Sequence, residues 1–238
     1  MDIKLHPNYA TNGWIYFSYA SSEGEGEGGN TAIIRAKLQD NSLVEKQVLY
    51  KANPNSKKGQ HFGSRIVFDK NGYLYFTIGD RGNRDEFPQD ITKDAGKIYR
   101  LNDDGSIPND NPFVDKKDAN SAIYSYGHRN PQGMALNPET GKIWTHEHGP
   151  QGGDEINIIQ KGKNYGWPEI TFGREYYGPK IGKTSQKGME QALKYYIPSI
   201  APSGLAFYSG KKFPKWKGNL FIGSMVLTHL NRNVVDGN

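Results

Sequence analysis

Two short polar runs carry most of the side chains in this chain that could do chemistry. The first is Gly127-His128-Arg129-Asn130-Pro131-Gln132-Gly133; one short hairpin later comes His146-Glu147-His148-Gly149-Pro150. Together they offer a guanidinium, side-chain amides, imidazoles and a backbone fixed by proline. Arginine is a permanent cation, suited to an anionic ligand or to negative charge that develops during a reaction. Imidazole exchanges a proton near neutral pH. Well-capped turns would explain the Gly, Asn and Pro, but turns rarely need Arg, Gln and two His together. Both runs interrupt strand-like sequence. Residues 122–126 read as a strand that ends at Arg129, and residues 142–145 as one that ends at His148. Groups set on loops by a rigid sheet are the usual design of a site.

The positioning elements form a repeat. A short apolar strand, a turn rich in Asn, Asp or Gly, and an aromatic strand recur at residues 3–17, 65–76, 133–144 and 204–222. Gly13, Gly72, Gly141 and Gly218 mark the turns. Asn71-Gly72 predicts a tight hairpin in which both central residues take positive φ. Residues 97–101 and 156–159 read as strands further out. An interval of roughly 60–80 residues that holds about four strands predicts propeller blades. The fold expected is all-β, a single β-propeller domain over residues 1–238 with about four blades. It is expected to be incomplete at both ends, because no strand precedes Asp2 and Asp236-Gly237-Asn238 is a turn without a returning strand. The Glu/Gly-rich run at 22–30 predicts a floppy hairpin tip. Only residues 189–194 suggest a helical turn.

Composition narrows the function classes. The 238 residues are 35% hydrophobic, with 29 Gly, 15 Tyr and 13 Pro, which suits many strands and turns. There is no Cys, which excludes disulfides and thiolate metal sites and suits export. The net charge of +5 comes mostly from scattered Lys, without the clustered basic face or module of a nucleic-acid binder. No run approaches the ~18 apolar residues of a membrane span. The first residues lack the basic and apolar regions of a signal peptide.

A set of motifs carries a family resemblance. Gly59-Gln60-His61-Phe62-Gly63-Ser64-Arg65, Thr77-Ile78-Gly79-Asp80, Gly96-Lys97-Ile98-Tyr99-Arg100-Leu101-Asn102 and the run through Arg129 come first. Glu147-His148-Gly149-Pro150, Gly153-Asp154-Glu155-Ile156-Asn157 and Asn164-Tyr165-Gly166-Trp167-Pro168 follow in order. The chain resembles the soluble pyrroloquinoline-quinone (PQQ) dependent aldose sugar dehydrogenases, the glucose/sorbosone dehydrogenase family. That resemblance implies a six-bladed propeller about one and a half times as long as this chain. It also implies oxidation of an aldose at its anomeric carbon to the lactone, with PQQ and Ca²⁺ as cofactors. An external electron acceptor, a periplasmic or secreted location and a possible homodimer of the full-length protein belong to the same implication.

Site residues follow from the resemblance position by position. His61 matches the general base that takes the anomeric proton while hydride leaves for the quinone. Arg129 matches the cation beside the quinone oxygens, and Asn130 an amide that contacts PQQ. Tyr176 and Ser199 match further cofactor contacts. Gly149 and Pro150 match backbone carbonyl ligands of the catalytic calcium, and Glu155 and Tyr165 a second, structural calcium site. Val226 departs from the family, which commonly has a Lys there for a PQQ carboxylate.

Rival readings stand beside this one. His128, His146 and His148 invite a zinc site, since His146 and His148 are two apart in a strand and face the same side; the resemblance argues against it. Gly182-Lys183-Thr184 suggests a nucleotide loop, but the required earlier glycine falls on Tyr177. A non-catalytic or calcium-dependent lactone-hydrolysing propeller is the alternative to the dehydrogenase.

Overall fold

The structure is a computed structural model and describes residues 1–235; the turn expected at Asp236-Gly237-Asn238 lies outside the described residues. Four antiparallel sheets follow one another along the chain, each with its strands in sequence order. The first holds β1 (Asp2–Leu5), β2 (Trp14–Ser21), β3 (Asn30–Gln39) and β4 (Ser42–Lys51), with one helical turn, α1 (Tyr9–Asn12), between β1 and β2. The second holds β5 (Ile66–Phe68), β6 (Leu74–Ile78), β7 (Lys97–Leu101) and β8 (Ile123–Tyr126). The third holds β9 (Pro131–Leu136), β10 (Ile143–Glu147), β11 (Asp154–Ile158) and β12 (Lys194–Tyr196). The fourth holds β13 (Pro202–Phe207), β14 (Leu220–Ser224) and β15 (His229–Asn233). The first strands pack in succession, β1 on β5, β5 on β9 and β9 on β13. These are four blades of a β-propeller, and the four repeats found in the sequence open one blade each.

The core lies between blades. Tyr16 and Ile33 of the first blade pack against Phe68, Phe76 and Tyr99 of the second. The Tyr16 and Phe68 rings meet edge to face with centroids 4.9 Å apart. Val67 and Tyr75 meet Met134 and Ile143 between the second and third blades, and Trp144 and Ile156 meet Leu220 and Ile222 between the third and fourth. Sheets covered on both faces need apolar residues on both, so β6 and β7 are buried along their whole length. Their ends remain open, and that is where polar groups collect.

Four local expectations change. The first sheet already has four strands, with β1 in the inner place, because Asp2–Leu5 pairs along β2 just as β5 pairs along β6. Gly72 has φ 85°, but Asn71 is not in the positive-φ region. The Asp69 carboxylate accepts from the amides of Asn71 (2.9 Å) and Tyr73 (3.0 Å), and this Asx turn displaces the two-residue turn. The 22–30 tip does join β2 to β3, yet it is tied down: Asn55 Nδ2 donates to the Ser22 and Gly26 carbonyls, and Glu23 pairs with Lys51. Residues 189–194 form no helix; Lys194 enters β12, because pairing with Ile156 outweighs a weak local propensity.

Candidate active site

One cavity of about 930 Å³ opens at the loop ends of the blades, and His61, Arg129, Asn130, Gly149, Pro150, Tyr176 and Ser199 all line it. They arrive from separate connections: the loop before β5, the link from β8 to β9, the loop after β10, and the segments on either side of β12. Glu155 and Tyr165 stand apart from that cavity. They line a small neighbouring void of about 10 Å³ together with Glu147 and Gly149.

The His61 ring is held by a buried carboxylate. Its Nδ1 donates to Asp80 Oδ1 at 2.6 Å. A carboxylate only accepts, so Nδ1 carries a hydrogen; in the neutral ring the lone pair is then on Nε2, which has no hydrogen-bond partner among the described residues. Asp80 is buried and fully engaged: Trp167 Nε1 donates to Oδ2 at 2.8 Å and the Gly82 amide to Oδ1 at 2.7 Å. The Asp80 amide in turn donates to the Arg129 carbonyl at 2.7 Å, which couples the two sides of the cavity. Gly79 makes this approach possible. A Cβ there would stand 2.4 Å from the His61 carbonyl oxygen and 2.9 Å from that of Arg129. We expect Gly79→Ala to destabilise the protein by ~1–3 kcal/mol through overpacking, because the new methyl would press the His61 and Arg129 carbonyls apart. Denaturant melts of the variant against wild type check this.

Arg129 is built in from several directions. Its amide donates to Glu147 Oε2 at 2.6 Å and its Nη1 to the His148 carbonyl at 3.0 Å. Its guanidinium lies 5.4 Å from the Trp167 ring centroid. Asn130 Oδ1 accepts from the Gly63 amide at 3.3 Å, two residues beyond His61. The three histidines of the polar runs serve three different partners. His128 bonds to Ser125 Oγ and Glu147 Oε1 and stacks on Tyr165, whereas His146 Nε2 bonds to the Gly204 carbonyl and His148 Nε2 to that of Pro202. His146 and His148 do face one side, towards β13, but they and His128 share no common point, so the zinc reading finds no ligand set.

Burial drives the His146 pKa down to about 4. A depressed histidine contributes stability above its ordinary value of 6.5, and that contribution is lost as pH falls towards 4. The full shift corresponds to roughly 3 kcal/mol. Melting temperature should therefore fall between pH 6.5 and 4, and His146→Gln should flatten that fall.

Asp154 fastens two cavity walls together. It is fully buried; its Oδ1 accepts from the Gly149 amide at 2.9 Å. Its Oδ2 accepts from Ser199 Oγ at 2.6 Å, the Ile200 amide at 2.7 Å and the Ala201 amide at 3.1 Å. Ser199 thus gives its hydrogen to Asp154 and keeps only acceptor capacity for a ligand. Next along β11, burial and the neighbouring carboxylates Glu147 and Asp154 push Glu155 up to about 8. Its Oε2 accepts from Asn157 Nδ2 at 3.2 Å, and Asn157 Oδ1 is buried without a partner among the described residues. Glu147 and Glu155 are the two carboxylates at the small void, which Arg129 also lines; carboxylate oxygens are the ligand type a hard cation takes. Tyr176 is 72% exposed at the cavity mouth beside Arg174, a second cation of the lining. Val226 does not line the cavity; its amide donates to the Ile200 carbonyl at 3.2 Å.

Sequence reasoning assigned no role to Asp80, Glu147, Asp154 or Trp167. A carboxylate directly after a glycine at a strand end, as in Gly79-Asp80 and Gly153-Asp154, was the available signal.

The family model described as Glucose / Sorbosone dehydrogenase matches residues 1–238. Aldose sugar dehydrogenase YliI of Escherichia coli is 44% identical over 230 residues, which cover 94% of this chain and 62% of that protein. The chain thus spans about three fifths of the length of that curated relative. A crystal structure of a glucose dehydrogenase superposes with a TM-score of 0.95 at 41% identity, over 100% of this chain and 69% of that one. The PQQ-bound form of an aldose sugar dehydrogenase from Streptomyces coelicolor superposes with a TM-score of 0.77 at 26% identity, over 98% and 62%.

Proposed function

The chain belongs to the glucose/sorbosone dehydrogenase family, and from that premise we propose that the full-length protein oxidises aldoses at the anomeric carbon to lactones, dependent on PQQ and calcium. The observation that carries this reading is the His61–Asp80 pair facing one cavity with the Arg129 cation. A lone sugar-binding wall has no need of a base whose tautomer is set by a buried carboxylate.

The lining fits a flat, anionic cofactor. About 930 Å³ lies within the usual range for cofactor and ligand pockets. Arg129 and Arg174 supply positive charge, and Asn130 and Gln132 supply amides. PQQ is a tricarboxylate, and Arg174 offers a cation where Val226 does not. Gly149 and Pro150 would give main-chain oxygens to a calcium, as oxygen-seeking Ca²⁺ requires. When bound, the quinone and its calcium supply a hydride acceptor polarised by a Lewis acid.

The chain's own residues do the remainder. Nε2 of His61 takes the proton of the anomeric hydroxyl as the C1–H bond breaks. Asp80 holds the ring in that tautomer and stabilises the imidazolium that forms. Arg129, pinned by the His148 carbonyl, keeps a permanent positive charge at the cavity wall without having to reorganise. Asp154 holds the Gly149 loop and the 199–201 segment at a set separation.

Dye reduction by the full-length protein with an aldose, PQQ and calcium tests the reading. Reduction that needs all three supports it. Lactone hydrolysis with no dye reduction would instead support the calcium-dependent hydrolase.

A further inference from the structure

Arg81 heads the fully buried side chains by volume, yet its guanidinium forms no ion pair among the described residues. Burying an unpaired cation is costly unless its protons find acceptors, and burial lowers its pKa to about 10, so it stays charged at neutral pH. Main-chain carbonyls accept from its two Nη groups: that of Gln60 from Nη1, and those of Lys58 and Gly29, each at 3.1 Å, from Nη2, while Nε is buried without a partner among the described residues. The guanidinium carbon also lies 3.3 Å from the Phe62 ring centroid. Gln60 and Phe62 are the two neighbours of His61.

The segment held in this way has no strand of its own. Gly63 has φ 60°, which glycine takes freely, but His61 has φ 55° and Ser64 φ 79°, left-handed conformations that a residue with a side chain keeps only when its surroundings impose them. Asp80 and Arg81, adjacent in sequence, impose them from one side. The carboxylate fixes the imidazole, and the guanidinium fork fixes the main chain before it. Arg81 is itself anchored, since Ser56 Oγ donates to its carbonyl at 3.1 Å.

We propose that Arg81 is a positioning residue that sets the placement of the His61 imidazole in the active cavity by holding the carbonyls of residues 58 and 60 and the Phe62 ring. The kinetic part rests on the reading of His61 as the base; the placement itself does not. Lysine is the discriminating substitute. It keeps the charge but presents a compact ammonium in place of a planar fork, so it cannot hold the same carbonyls and ring together.

The experiment uses full-length protein labelled with ¹⁵N-histidine, comparing wild type, Arg81→Lys and Ser56→Ala. The Nδ1–H signal of His61 is assigned by its loss in His61→Ala. In Arg81→Lys that signal should shift or vanish while circular dichroism stays native. Turnover should fall by ~10–100-fold, as displacement of a reacting group by about an ångström does, with the aldose KM and PQQ retention within about two-fold of wild type. Ser56→Ala should move the signal in the same direction with a smaller loss of turnover. A folded Arg81→Lys with the wild-type His61 signal overturns the proposal. If Arg81→Lys does not fold, Ser56→Ala decides, and an unmoved signal with wild-type turnover overturns it. Wild-type protein that oxidises no aldose would refute the dehydrogenase reading, whereas the His61 signal would still report on Arg81.

Discussion

Replacing His61 by alanine in the full-length protein is expected to lower aldose turnover by ~10²–10⁴-fold and to leave PQQ binding nearly intact. The ring is the one side chain of the cavity whose free nitrogen is set by a buried carboxylate, and it makes no hydrogen bond to Arg129 or to the Gly149 loop among the described residues. Removing it takes away proton transfer without disturbing the cationic wall. Arg129→Ala should behave differently. On the proposed reading its guanidinium, at the cavity wall, meets both the anionic cofactor and the charge that develops on it, so turnover and cofactor retention should fall together. Asp80→Asn should approach the His61→Ala loss, because the amide can donate to Nδ1 and reverse the tautomer. Single-turnover dye reduction with a separate PQQ-binding titration distinguishes the three. Wild-type turnover in His61→Ala would remove the role given to that residue.

Chelation of calcium is expected to abolish dye reduction and, without PQQ present, also to lower the melting temperature. On the proposed reading the two effects belong to different places, the Gly149–Pro150 wall of the cavity and the void beside it that Glu147 and Glu155 line. In the void, Glu155 is a half-buried carboxyl raised to about 8 by burial and by Glu147 and Asp154. A raised carboxyl contributes stability below its ordinary value of 4.5, and that contribution is lost as pH rises towards about 8. In chelator, then, the protein should weaken as pH climbs through that window. A divalent cation bound only by the folded state reverses the loss, adding about 2.7 kcal/mol at a hundredfold excess over its Kd. Glu155→Gln should remove most of the calcium-dependent gain in melting temperature and flatten the pH dependence in chelator, while dye reduction remains calcium-dependent. Equal melting temperatures in excess chelator and in millimolar calcium would leave Glu155 a strand carboxylate with no metal role.

The polar runs at Arg129 and His148 are legible in the chain because they occupy punctuated, local positions, whereas His61, Tyr176, Ser199, Glu155 and Tyr165 are reached only through the family resemblance. The repeat shows because alternation and turn glycines act over a few residues, and the polar runs at Arg129 and His148 show because they break it. Strand ends that follow one another in sequence meet in space, as the Arg129 bond to the His148 carbonyl demonstrates. What sequence alone did not reveal is which carboxylate serves which group. Asp80 reaches back 19 residues to His61 and forward 87 to Trp167, and Asp154 spans 45 to Ser199. Nor does any local pattern mark Arg81 as buried against three carbonyls rather than solvated in a turn. Local propensity sets a strand or a turn within a few residues. The partner of a buried charge is decided only when the blades pack, because only then is water excluded and the nearest available acceptor made obligatory.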